Sequence, residues 1–110
     1  MDFLFELTHH PAAAEDFRTS KQWFAGVDED LAGLFESDFK AALTGLATGK
    51  LKGHLLVTGE SIRWVKLARF SHKVFYVPEG SSRLLILGLI SGRRHPARIQ
   101  RMLGSRRGRA

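Results

Sequence analysis

Two sets of cations stand at spacings that could follow a phosphate chain. Arg63, Lys66, Arg69 and Lys73 recur every three to four residues in mid-chain, and Arg93, Arg94, Arg98 and Arg101 follow near the end. Guanidinium groups bind phosphate through paired hydrogen bonds and also stack on bases, so both sets suit an anionic partner. Antiparallel strand pairing is expected to bring the two sets onto one surface. RNA cleavage would need a base for the 2′-hydroxyl, an acid for the leaving oxygen and cations for the phosphorane charge. Lys66, Lys73, Arg93 and Arg94 could supply the cations, and His72 or His95 could titrate near neutrality. The plain alternative is a set of solvated faces, with histidines at the surface or in turns. Trp64 could stack a base, although a core tryptophan is the commoner role. Tyr76, between Phe75 and Val77, suits burial with its hydroxyl bonded.

Other chemistries find little footing. Cysteine is absent, which excludes disulfides and thiolate zinc sites. His9 and His10 are adjacent and point apart, so they make a poor metal pair. There is no glycine-rich phosphate loop with its lysine, no HExxH and no GxSxG. No cofactor or metal is expected.

Charge is spread unevenly. Residues 1–48 carry three basic and nine acidic residues; residues 49–79 carry six and two; residues 80–110 carry eight arginines and no acid. An acid-free, arginine-rich end points to an anionic partner. No run approaches the roughly 18 apolar residues of a membrane span, and the start lacks a secretory pattern. The expected place is the cytoplasm, without a membrane.

The elements that must position these cations follow from periodicity. Phe3, Phe5 and Leu7 alternate with polar residues and predict a first strand. Thr8 offers a helix cap and Pro11 a first-turn residue, for a helix running to about Ala25. Gly26 and the acidic residues 28–30 mark a stop and a new start. A second helix follows, with Leu31, Leu34, Phe35, Ala42, Leu43 and Leu46 on one stripe; Asp38 interrupts it and Gly49 ends it. The pattern then turns to strands: residues 55–57, a turn at 58–61, Ile62 to Phe70, Lys73 to Val77, a turn at 78–82, and Leu84 to Ile90. The last is apolar throughout, as in a strand buried on both faces. A short basic helix is expected from Pro96 to Leu103, followed by a disordered tail over 104–110. The sum is an α+β domain over residues 1–103. An antiparallel helical hairpin packs on a mainly antiparallel sheet of four to five strands.

The run Ile62-Arg63-Trp64-Val65-Lys66-Leu67-Ala68-Arg69-Phe70, then Val74 to Val77, a tight turn, Leu84 to Ile90 and Ser91-Gly92-Arg93-Arg94-His95-Pro96 resembles the C-terminal half of RelE/ParE-superfamily toxins. The strand and helical hairpin before it are compatible, so the resemblance spans most of residues 3–103. It implies the toxin of a type II toxin–antitoxin module, neutralised by a cognate acidic antitoxin. RelE-like members cut mRNA in the ribosome, and that resemblance places Lys66, Lys73 and Arg94 in the charge-stabilising positions. ParE-like members inhibit DNA gyrase. Trp64 stands where RelE-like nucleases tend to carry another lysine, and no tyrosine follows Tyr76. The Gly-Arg-Arg-His-Pro segment is more ParE-like. The ParE-like reading therefore leads, with Arg63, Arg69, Arg93, Arg94, Arg98 and Arg101 as target contacts. A RelE-like ribonuclease and a non-toxic nucleic-acid-binding module remain as alternatives.

Overall fold

The structure is a computed structural model that describes residues 3–56 and 61–109. Strand β1 (Glu6–His9) leads into helices α1 (Pro11–Val27) and α2 (Glu29–Ala47). Four strands follow: β2 (His54–Leu55), β3 (Arg63–Lys66), β4 (His72–Glu79) and β5 (Arg83–Ser91). Helix α3 (Pro96–Arg109) closes the chain. The sheet order is β1-β5-β4-β3-β2, with only β1 and β5 parallel. The expected α+β architecture is the observed one.

Both faces of the sheet are covered, which explains why Leu84 to Ile90 is apolar without alternation. One face carries Val65, Val74, Tyr76, Leu84, Ile86 and Leu89 against Phe35, Phe39, Ala42 and Leu46 of the hairpin. The other carries Phe75, Val77, Leu85, Leu87 and Ile90 against Ile99 and Leu103 of α3. The hairpin turns on Asp28 alone, whose carboxylate accepts from the Asp30 N–H and so starts α2. Lys21 and Glu36 tie the two helices side by side.

Several boundaries differ from the sequence pattern. Thr8 lies in β1, and the cap of α1 is His10, whose Nδ1 accepts the Ala12 N–H at 3.0 Å ahead of Pro11. His95 does the same for Ala97 ahead of Pro96. The strand expected over Ile62 to Phe70 ends at Lys66, because the Leu67 N–H closes the β3–β4 hairpin on the His72 carbonyl. Residues 68–71 then bend outward to meet α2. The turn expected at 58–61 falls largely on residues outside those described. The tail expected to be disordered from Gly104 is helical to Arg109.

That last difference has a specific cause. Strand β1 stops pairing at Ile86, which leaves the Leu89 N–H and Leu87 carbonyl of β5 facing outward. Asp16 of α1 accepts the Leu89 N–H at 3.1 Å, and Arg106 donates to the Leu87 carbonyl at 3.0 Å. Asp16 and Arg106 also pair with each other at 2.6 Å and 3.1 Å. A Cβ at residue 88 would come within 2.6 Å of the Arg106 guanidinium, so Gly88 makes room for the pair. Side chains replace the missing strand, and they anchor the last turns of α3.

Candidate functional site

One end of the sheet collects the β3–β4 turn, the end of β5 and the turn that leads to α3. The Gly92 N–H donates to the Ser71 carbonyl at 2.9 Å, which seats the arginine turn against the β3–β4 turn. A Cβ on Gly92 would stand 2.7 Å from that carbonyl oxygen, so only glycine allows this approach. The Ser91 hydroxyl accepts the Arg93 N–H and lies 3.4 Å from the Ser71 hydroxyl.

A groove of about 580 Å³ opens here between α1 and the sheet end. Arg69, Arg93 and Arg94 give it cations, and Trp23, Phe24 and Phe70 give it aromatic walls. Thr19, Ser20, Ser71 and Ser91 add hydroxyls, and His72 lies between them. Arg93 and Arg94 are exposed and meet no carboxylate among the described residues. Trp23 is 67% exposed, an unusual fraction for so large an apolar side chain.

Arg69 is held differently. Its Nε and Nη2 reach Asp38 of α2 at 3.0 Å and 2.7 Å, and its backbone N–H reaches the other carboxylate oxygen at 2.8 Å. Asp38 is buried, which accounts for the interruption in the apolar stripe of α2. The Arg69 hydrogen bonds hold the Asp38 carboxyl below its ordinary value, against the burial that would raise it. The forked contact fixes the guanidinium at the groove wall.

His72 packs edge-on against Phe35 and tilted against Phe24. Burial, and after it the Arg94 charge, lowers its pKa, so the neutral imidazole is favoured. Its Nδ1 is buried with no hydrogen-bond partner among the described residues.

The remaining cations do not line this groove. Lys66 and Lys73 stand opposite each other in register, on the face that also carries Trp64 and Phe75. Lys73 Nζ sits 4.1 Å from the Trp64 ring centre, and His54 packs on the same indole at 4.6 Å. Trp64 is thus a partly buried platform for its own neighbours. Lys66 donates to the Leu67 carbonyl. Arg63 shares the opposite face with Tyr76, and the two clamp Gly53: the arginine donates to its carbonyl, while its N–H donates to the tyrosine hydroxyl. Arg98 and Arg101 lie on the exposed side of α3. The structure therefore brings Arg69, Arg93 and Arg94 together. Arg63, Arg98 and Arg101 are placed elsewhere, whereas Lys66 and Lys73 flank the β3–β4 turn at the same end of the sheet. A Cβ on Gly92 would stand 3.5 Å from Lys73 Cε. The α1 wall escaped the sequence pattern, where the one signal was a tryptophan beside the apolar stripe of Ala13, Phe17 and Phe24. Among the described residues no cluster of three or more histidine, aspartate or glutamate side chains could hold a metal.

The sequence matches no family description, and no curated protein matches it either. Solved structures are more informative. A chain of the chromosomal ParDE TA (toxin–antitoxin) system from P. aeruginosa aligns over 80% of this chain and 96% of its own, with a TM-score of 0.68 and 14% identity. The two chains share a fold. The resemblance drawn from residues 62–96 is thus met by the backbone of a ParDE-system protein. At 14% identity the likeness is one of architecture, and the groove's side chains are argued from this chain alone.

Proposed function

We propose that the chain is the toxin of a type II toxin–antitoxin module and acts as a ParE-like inhibitor of a DNA-handling enzyme, DNA gyrase first among them. The fold it shares with a chain of a ParDE system is the observation that carries this reading. The arginine turn at 92–95, exposed and without acidic partners among the described residues, is the element offered to the target. Arg98 and Arg101 extend that offer along α3. A cognate antitoxin with an acidic segment covers the same arginines, since charge complementarity favours fast and selective association.

The sequence departures favour an inhibitor over a nuclease: Trp64 stands where RelE-like members tend to carry a lysine, and its ring carries Lys73. The nuclease reading keeps one point in its favour, since Lys73 Cε lies 3.5 Å from where a Cβ on Gly92 would stand, beside the arginine turn. Induced expression followed by mapping of mRNA ends in a cell-free translation reaction tests the choice. The proposal expects growth arrest with uncut mRNA. Ribosome-dependent cuts would install the nuclease instead, and unimpaired growth on expression of folded protein would leave a plain binding module.

A further inference from the structure

The groove beside α1 has a chemistry that inhibition of a protein target does not require. Trp23 presents an exposed indole at its rim, next to guanidinium groups from another part of the chain. Its volume of about 580 Å³ falls within the range of small-molecule clefts. Arg69 is pre-oriented by its fork on Asp38, whereas Arg93 and Arg94 are uncommitted to any carboxylate among the described residues. Thr19 and Ser20 line the α1 side with hydroxyls.

An extended peptide would draw much of its affinity from main-chain pairing with a sheet edge. The edge of β5 beyond Ile86 is not open to it, because Asp16 and Arg106 already take the Leu89 N–H and the Leu87 carbonyl. What the groove offers is a flat aromatic face, bidentate cations and hydroxyl groups. Aromatic stacking accepts any base, and arginine matches phosphate geometry through two parallel hydrogen bonds.

We propose that this groove is a nucleotide-binding site, taking a nucleoside phosphate with its base on Trp23 and its phosphate on Arg93 and Arg94. The reading goes beyond target inhibition and stands whether or not gyrase is the target. A free nucleotide and the 5′-phosphorylated end of a single strand present the same chemistry.

Calorimetric titration of the full chain with adenosine 5′-monophosphate tests it, with adenosine, inorganic phosphate, a 5′-phosphorylated trinucleotide and an acidic peptide as further probes. Saturable binding of the monophosphate is expected, at least tenfold tighter than adenosine or phosphate alone. Trp23→Ala and the Arg93→Ala, Arg94→Ala double variant should each weaken it by tenfold or more. The Lys50→Ala, Lys52→Ala variant, which also removes two exposed charges, should bind as the wild type does. Tighter binding of the trinucleotide assigns the site to strand ends, and tighter binding of the monophosphate assigns it to free nucleotide. The proposal fails if the monophosphate does not saturate, if Trp23→Ala binds it unchanged, or if the acidic peptide alone shows the arginine dependence. Circular dichroism of each variant confirms that a loss is not unfolding.

Discussion

Among the described residues Arg93 and Arg94 meet no carboxylate, unlike Arg69 and Arg106, which help hold the fold together. Arg69 holds Asp38, Arg106 holds Asp16, Arg63 holds Gly53 and Lys73 covers Trp64. Removing an exposed charge usually changes stability by no more than about 0.5 kcal/mol. The Arg93→Ala, Arg94→Ala variant should therefore keep a wild-type melting curve while losing growth inhibition, and a folded variant that still arrests growth would move the contact elsewhere. Asp38→Ala should behave in the opposite way. It strands a forked guanidinium and a backbone N–H, so a loss of about 1–3 kcal/mol in denaturant unfolding is expected. His72 adds a pH signature. Burial and the Arg94 charge hold it below its ordinary value of 6.5 in the folded chain, so the unfolded chain binds more protons between the two values. Stability then rises with pH through that window and is complete above about 6.5. His72→Phe should flatten the rise in unfolding midpoints across this range, leaving the part due to His9, which burial also lowers.

The elements were legible wherever one short-range rule decided them. The apolar run from Leu84 to Ile90 announced a strand covered on both faces, and Pro96 announced the start of α3. The long-range choices were not legible. Nothing local shows that Asp38, mid-helix, waits for Arg69, or that Arg106 in an arginine-rich tail would reach Asp16 some ninety residues earlier. The same tail therefore read as disordered. Its anchoring makes a clear prediction: truncation after Leu103 should cost about 3 kcal/mol, the scale of breaking a poorly solvated ion pair. Arg106→Ala should reproduce most of that loss in chemical denaturation. Gly88→Ala should do so too, by pushing the guanidinium off its seat. A truncated chain as stable as the full one would show that α3 is held by Ile99 and Leu103 alone.

At the scale of the whole molecule, the acidic first half and basic second half become opposed parts of one body. The hairpin helices supply Asp16, Asp38 and Glu36, and each is spent on a cation of this chain. What remains for a partner is the arginine turn and the exposed side of α3. Binding through such a surface should weaken steeply with salt. The resemblance read from residues 62–96 was confirmed at the level of fold because it rested on the order of strands, which the backbone retains. The grouping of cations around one surface was only half legible, because strand register decides faces. Arg63 and Lys66, three residues apart on β3, point to opposite sides.

Supercoiling of relaxed plasmid by DNA gyrase, titrated with the purified chain and with its Arg93→Ala, Arg94→Ala variant, bears most directly on the central claim. The wild type should suppress supercoiling in proportion to its concentration, and the folded double variant should leave it near the uninhibited level. Full supercoiling at saturating wild-type protein, or equal inhibition by both, would contradict the account.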